Sequence, residues 1–363
     1  MSNKLDEARA IINDVDRQMA DLFVKRMRAA ELVYEHKKEF GLPILDQKRE
    51  DAVIERNSAL VEDEVLRGYY VDYLRHIMSL SRAYQYRMQS GLKVAYCGVE
   101  GAFAHIAAGR IFPGSDRVSY RDFRATYDSI VDGECDVAVL PIENSYAGEV
   151  GQSMDLIFSG GLFINGVYEL EIRQNLLGLP DSSIDGIRAV MSHPQALAQC
   201  HNYIEAKGFE AREASNTAVA ARFVADSNDR SLGAIASLET AELYGLKVLD
   251  ADINESGENT TRFAVLSKVC AVPSSSSSNS ILMFTVRNEA GSLANAIAII
   301  GKYGFNMTAL HSRPLKKHSW QYYFYVEIDG TVDTDDGSKM MVELGEVCDR
   351  LKVAGTFIPH TEI

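Results

Sequence analysis

The chain has 363 residues, 46% of them apolar, and a formal net charge of -14. That length exceeds the usual reach of one hydrophobic core, so two or three domains are expected. The acidic balance excludes a nucleic-acid partner, whose phosphates need a basic surface, and leaves any anionic ligand to local cations. The five cysteines are scattered, odd in number and never in a C-x-x-C pair, and the eight histidines show no metal-ligand spacing. Reduced thiols, no metal and no cofactor are expected. The opening MSNKLDEARAIINDVDRQ breaks its apolar positions with charges, so it reads as neither a secretory signal nor a membrane anchor, and a cytoplasmic location is expected.

From Leu5 to Lys38 there is no Gly or Pro, and Leu5, Ala8, Ile12, Val15, Met19, Leu22, Val24, Ala29 and Val33 recur at three- and four-residue steps, which predicts one very long helix. Gly41 and Pro43 break it, Asp46 caps a second helix, and a third runs from about Glu64 to Gln89. Such a helix exposes too much apolar surface alone and is expected to pack against a partner chain, excluding a monomer. Arg26 and Lys37 are eleven residues apart, about three turns, and share a face. Arg9 lies roughly 25 Å from Arg26 at about 1.5 Å per residue, too far for the same pocket in a straight helix but able to reach a second subunit's. Asp46, Arg49 and Glu50 fall on one face of the second helix, and Ser81 and Gln85 on one face of the third.

Each of these charges alone reads as an ordinary solvated helix residue. As a set, residues 5 to 90 resemble the all-helical chorismate mutases. The resemblance implies that Arg9 of the partner and Arg26 hold the substrate carboxylates, Lys37 and Gln85 donate to the breaking ether oxygen, Glu50 accepts from the substrate hydroxyl, and Asp46, Arg49 and Ser81 complete the pocket. The rearrangement is pericyclic and needs a compact conformer and charge compensation rather than a base. Gln85 cannot titrate, so no acid-side requirement is expected at that position.

After Gly91 short β-type runs (KVAYCG, DVAVLPI, IRAVMS, LGAIAS) alternate with helical patterns, the signature of an open α/β sheet. Four strings stand out: GVEGAFAH at Gly98–His105, PIENSYAG at Pro141–Gly148, SHPQALAQC at Ser192–Cys200 and ENTTRFAVL at Glu258–Leu266. Coming from both ends of the unit, they imply two lobes with a cleft between them. In this order they resemble the prephenate dehydratases over residues 93 to 267, with N-x-T-R-F the most specific. The resemblance implies that Thr261 donates to the departing hydroxyl, with Glu143, Asn144, Ser192 and Gln199 at cleft positions. Arg262 either binds the pyruvyl carboxylate or braces the loop, and Phe263 packs beneath the cleft. Where that family commonly has G-T-F-S-H, this chain has Ala102 and Ala104, which opens the choice between prephenate and arogenate. The attached mutase favours prephenate. His105 is expected to be structural.

PSSSSSN at Pro273–Asn279 is a low-complexity linker. Beyond it ILMFTVR, a helix from Ser292 to Tyr303, FNMTALHSRP, WQYYFYVEID, a helix near Lys339 to Leu351 and VAGTFIP spell βαββαβ, a ferredoxin-like module. It looks like the amino-acid-binding ACT regulatory domain often appended to these enzymes. Gly291, Ser292, Leu293 and Ala294 stand where that family has G-A-L-V, and His311, Ser312, Arg313 and Pro314 where it has E-S-R-P. An acid-to-histidine change alters recognition of an ammonium group.

The expected architecture is therefore multidomain: an all-α mutase at 1–90, a two-lobed α/β dehydratase resembling periplasmic binding proteins at 93–271, a linker at 272–278 and an α+β regulatory module at 279–363. The expected function is chorismate to prephenate to phenylpyruvate, with phenylalanine as effector and a homodimer or higher homo-oligomer as the assembly. The alternatives are a mutase fused to an arogenate dehydratase, or to a noncatalytic ligand-binding regulator.

Overall fold

The computed structural model describes residues 4–255, 259–271, 278–315 and 321–363, in two compact units, Met1–Leu92 and Lys93–Ile363. Glu258, at the head of the ENTTRFAVL string, and positions 272–277 of the expected linker lie outside the described residues.

In the first unit, helix α1 (Lys4–Glu39) runs uninterrupted because its 36 residues contain neither Gly nor Pro. Gly41, at φ 63°, turns the chain out of it. Helix α2 (Gln47–Ser58) starts at Asp46, whose carboxylate accepts from Arg49 N at 3.0 Å. Helix α3 (Glu64–Ser90) starts at Asp63 in the same way. The second half of α1 packs on α3, where Ala30 and Tyr34 are buried and the Tyr34 hydroxyl donates to Met88 O at 3.2 Å. Every residue from Lys4 to Lys25 is exposed, Leu5, Ile12, Val15, Met19 and Leu22 among them.

The second unit begins with parallel strands β1 (Lys93–Cys97), β2 (Asp116–Tyr120) and β3 (Val137–Asn144), linked through helices α4 (Phe103–Ile111) and α5 (Phe123–Asp132). A short strand β4 (Gly148–Glu149) folds onto β3, and helix α6 (Gly151–Ser159) leads to β5 (Phe163–Glu171). The chain then leaves for a second lobe. This holds β6 (Asn175–Gly178), β7 (Ala189–Ser192), α7 (Pro194–Gln199), α8 (His201–Lys207), β8 (Glu210–Glu213), α9 (Thr217–Ser227), β9 (Leu232–Ala236), α10 (Leu238–Tyr244) and β10 (Lys247–Asp250). Its sheet order is β10-β6-β9-β7-β8. The chain returns as β11 (Thr260–Ser267), inserted antiparallel between β3 and β5. Each lobe has its own core, around Leu140, Ile157, Ile164 and Leu266 in the first and Leu177, Val224, Leu232 and Ala234 in the second. Two lobes joined by two crossings leave a cleft at the crossings.

The C-terminal module follows as β12 (Asn279–Thr285), α11 (Ser292–Lys302), β13 (Met307–Pro314), β14 (Tyr322–Asp329), α12 (Asp335–Val347), β15 (Arg350–Phe357) and β16 (Thr361–Glu362). The order β13-β14-β12-β15, with both helices packed on Leu282, Phe284, Val326 and Ile328, is the ferredoxin-like arrangement the sequence predicted. Helix α12 begins earlier than its predicted start near Lys339. Thr334 caps it, accepting from Gly337 N at 3.0 Å, and Leu351 already lies in β15 opposite Phe284.

This module joins the first lobe edge to edge. β15 bridges β5 at Gly355 and Ile164, and β16 pairs with β5 as well. A Cβ at position 355 would lie 1.9 Å from Ile164 O, so only glycine permits the join. Lys352 Nζ, reaching across, donates to the carbonyls of Ile157 (2.6 Å) and Gly160 (2.8 Å) at the end of α6.

Candidate active sites

The helical unit holds a cavity of about 250 Å³ lined by Arg26, Lys37, Asp46, Arg49, Glu50, Ser81 and Gln85, with apolar walls from Ala30, Val33, Ile44, Val53 and Met78. Seven of the eight residues singled out in the sequence therefore converge within one chain. Arg9 does not line this cavity and lies on the exposed half of α1. The Arg26 guanidinium donates to Ser81 Oγ and, at 3.2 Å, to Ile77 O, while burial pushes its pKa below the ordinary value. Lys37 Nζ donates to Ile44 O, which fixes the ammonium against the loop after α1. Asp46 already serves as the α2 cap. Arg82, which the sequence reading missed, also lines the cavity and pairs with Glu50. Its i, i+3 relation to Gln85 was the available signal. Gln85 lines the cavity, is 6% exposed, and its Oε1 has no partner among the described residues. The arrangement offers cations for carboxylates and two polar groups for a third position, in a mostly apolar pocket.

In the second unit, a cavity of about 150 Å³ opens between the lobes, lined by Ala102, Phe103, Asn144, Ile172, Gln174, His193, Gln195, Gln199, Asn216, Thr217 and Thr261. Thr261 and Asn144 sit directly opposite each other on β11 and β3, and Asn144 Nδ2 donates to Thr261 Oγ1 at 2.9 Å. The Asn144 amide cannot be flipped. Its Oδ1 accepts from Tyr146 N (3.1 Å), Ala147 N (2.9 Å) and Gln195 Nε2 (3.1 Å), all donors, which forces the nitrogen toward Thr261 and Asn259 Oδ1. Thr261 thus accepts from Asn144, and its own proton is left for the cleft. Gln199, 5% exposed, accepts from Gln174 Nε2 at 3.4 Å, which leaves its own amide nitrogen as a donor. His193 Nδ1 accepts from Gln195 N at 3.2 Å, and burial holds the ring below its ordinary pKa, so the neutral imidazole carries its proton on Nε2.

None of the described residues lining this cleft is Lys or Arg. Positive potential comes instead from the first turns of α4 and α9, which both border it at Ala102–Phe103 and Asn216–Thr217. Asn216 caps α9 through Val219 N, but Ala102 has no side chain to cap α4. The first-lobe loop is held from the other lobe, with Thr240 Oγ1 donating to Gly101 O at 2.9 Å and the Tyr244 hydroxyl to Glu100 O at 2.8 Å. Gly101, at φ 87°, also lets Leu243 approach closely. His105 accepts from Gly101 N and packs on Tyr96, the structural role expected of it.

Two expected cleft residues are elsewhere. Glu143 neighbours Asn144 on β3 and, by strand alternation, points to the opposite face, where it pairs with Arg262 at 3.1 Å. Ser192 is fully buried and donates to Ile235 O at 2.6 Å, tying β7 to β9. Arg262 also faces away from Thr261 and does not line the cleft, which favours bracing over substrate binding. Phe263 is 2% exposed and packs below.

In the C-terminal module, β12 and β13 are both antiparallel to β14 and therefore end at one edge, where α11 begins. Gly291, Ser292, Leu293 and Ala294 and the string His311, Ser312, Arg313 and Pro314 lie at that end. Arg313 is already engaged, donating to Asp155 Oδ1 of α6 at 3.1 Å.

Residues 8–86 match the family model of type II chorismate mutase, and residues 94–271 that of prephenate dehydratase. A bifunctional chorismate mutase/prephenate dehydratase of Aquifex aeolicus is 33% identical over 364 residues, covering 98% of each chain. Arogenate dehydratase 2 of Petunia hybrida is 32% identical over 283 residues, 74% of this chain and 72% of that one. The structure of a prephenate dehydratase from Arthrobacter aurescens in complex with L-Phe superposes with a TM-score of 0.68 at 23% identity, over 73% of this chain and 89% of that one. With a cation-lined helical pocket, a hydroxyl-bearing interlobe cleft and full-length likeness joined in one polypeptide, the chain belongs to the bifunctional chorismate mutase/prephenate dehydratase family.

Proposed function

We infer that the helical unit rearranges chorismate to prephenate and that the interlobe cleft converts prephenate to phenylpyruvate, carbon dioxide and water. The observation that carries the second step is the locked Asn144 amide, which makes Thr261 a donor into the cleft. The departing ring hydroxyl takes the Thr261 proton while the carboxylate at the opposite ring position leaves as carbon dioxide, and its electron pair completes the aromatic ring. A proton from solvent restores Thr261. In the first step Arg26 and Arg9 of the partner subunit hold carboxylates, Lys37 and Gln85 compensate charge on the breaking ether, Glu50 accepts from the hydroxyl, and Asp46, Arg49 and Ser81 shape the pocket. Feeding chorismate and following its loss and phenylpyruvate appearance separately tests both steps. Prephenate accumulating unchanged would overturn the second.

The neutral cleft suits a dianion received by helix ends. Ala102→Ser should therefore cap α4, adding about 1 kcal/mol of stability, while its hydroxyl competes with the substrate carboxylate and raises KM for prephenate. A higher Tm with unchanged KM would mean that the α4 terminus holds no substrate. Prephenate rather than arogenate is the proposed substrate because the same chain makes it.

Positions 1–90, 93–271 and 279–363 are proposed as mutase, dehydratase and ACT regulatory modules joined by 272–278, in a cytoplasmic protein. Among the described residues no helix is long and apolar enough to cross a membrane. Phenylalanine is the proposed effector, supported by the L-Phe complex of the Arthrobacter aurescens protein and by the two strings at one end of the module. Millimolar phenylalanine should slow phenylpyruvate formation, and an unchanged rate and Tm would remove it as the effector. A homodimer is proposed from the apolar residues exposed along α1 and from the distance of Arg9 from its own pocket. Sedimentation as a monomer at micromolar concentration would contradict it.

A further inference from the structure

Arg262 follows Thr261 directly on β11 and faces the other side of the sheet. There its guanidinium is held by two carboxylates from different modules, Glu143 Oε2 on β3 at 3.1 Å and Glu327 Oε2 on β14 at 3.0 Å, with the Phe357 ring 5.9 Å away. Glu327 is 4% exposed and is itself fixed on both oxygens. Asn279 Nδ2 donates to Oε1 at 3.1 Å and the buried Tyr325 hydroxyl to Oε2 at 3.3 Å. The guanidinium and these two donors offset the desolvation of the carboxylate and fix its position, while removal of one partner would leave a charge buried and unpaired.

The β3–β11 register shifts between Arg262 and Phe263, so Ile142 is left unpaired beside the Arg262–Glu143 pair, one pair along from Thr261 and Asn144. Bulges re-aim neighbouring side chains. Arg262 braces the strands beside this one, bridging Glu143, its own cross-strand partner, to Glu327 of the C-terminal module.

We propose that Glu327 of the C-terminal module is a positioning residue for the dehydratase, holding Arg262 against Glu143 and thereby the Thr261 hydroxyl at its place in the cleft. The proposal rests on the reading of Thr261 as the donor. It makes the module part of the working dehydratase in addition to its proposed regulatory role, with this effect carried through the Arg262–Glu327 pair.

The test uses the full chain and added prephenate. Glu327→Gln keeps shape and removes charge, and should lower kcat by about 10- to 100-fold, the penalty of a misplaced catalytic group, with KM within about twofold and chorismate turnover unchanged. Glu327→Asp, which restores the charge, should recover part of the loss. In an Arg262→Met background the Glu327→Gln change should have no further effect, because the two act as one unit, whereas a general structural role would lower kcat additively. If Glu327→Gln does not yield folded protein, Asn279→Ala, which removes the donor on Oε1, should lower kcat several-fold, and parent-like kcat in that variant overturns the proposal. Parent-like kcat in folded Glu327→Gln, or additive losses with Arg262→Met, overturns the proposal. Thr261→Val run in parallel separates the two readings, since full turnover there would remove the donor assignment itself.

Discussion

Replacing Thr261 by valine should lower phenylpyruvate formation by about 10²- to 10⁴-fold, the usual worth of a positioned acid, while chorismate loss continues at the parent rate. Valine keeps the branched shape, so β11 remains seated between β3 and β5, and only the hydroxyl is lost. Asn144 Nδ2 keeps Asn259 Oδ1 at 2.9 Å as an acceptor, which limits the stability loss to about 1 kcal/mol. Thr261→Ser retains the donor and should keep most of the activity. The retained mutase supplies the control, because a chain that still consumes chorismate and accumulates prephenate is folded in its first unit and halted at the second step. If Thr261→Val made phenylpyruvate at the parent rate, the Nε2 proton of His193, which lines the same cleft from the second lobe, would become the donor to test.

The helical unit was legible because its signals are local. A 36-residue stretch without Gly or Pro leaves one outcome, and i, i+3 and i+4 spacing put Arg26, Lys37, Glu50 and Gln85 on faces that the bundle then brought together. The cleft was legible only in part. Asn144, Gln199 and Thr261 sit in recognisable strings, and so did His193 and Gln195, overlooked beside Ser192. Glu143 was misplaced although the period-two rule, applied to β3, already separates it from Asn144. Asn216 carried a helix-cap signal before the apolar run of α9, but nothing local marks Gln174, which reaches the cleft only because the chain crosses lobes there. The Gly355–Ile164 bridge and the Arg262–Glu327 pair connect positions far apart in the sequence, and no propensity or pattern encodes such pairings.

In the first unit the largest loss is expected from Lys37→Met, which should reduce chorismate turnover by about 10²- to 10³-fold, the cost of removing one donor aimed at developing charge. Lys37 is three turns beyond Arg26 on the same face, and its ammonium is steadied by Ile44 O rather than by a carboxylate, so its charge stays available to the cavity. Methionine keeps the length and apolar stem of the side chain. Lys37→Arg should rescue little, because a planar fork cannot occupy a site shaped for a compact ammonium. Gln85 adds a sign to the argument. A glutamate there donates only when protonated, so Gln85→Glu should lose turnover as pH rises through its carboxyl pKa, a dependence this position lacks with the native amide. In all three variants, prephenate supplied directly should still give phenylpyruvate at the parent rate. Parent-like chorismate turnover in Lys37→Met would move the ether contact to Gln85 or Arg82 and leave Lys37 as a brace for the loop after α1.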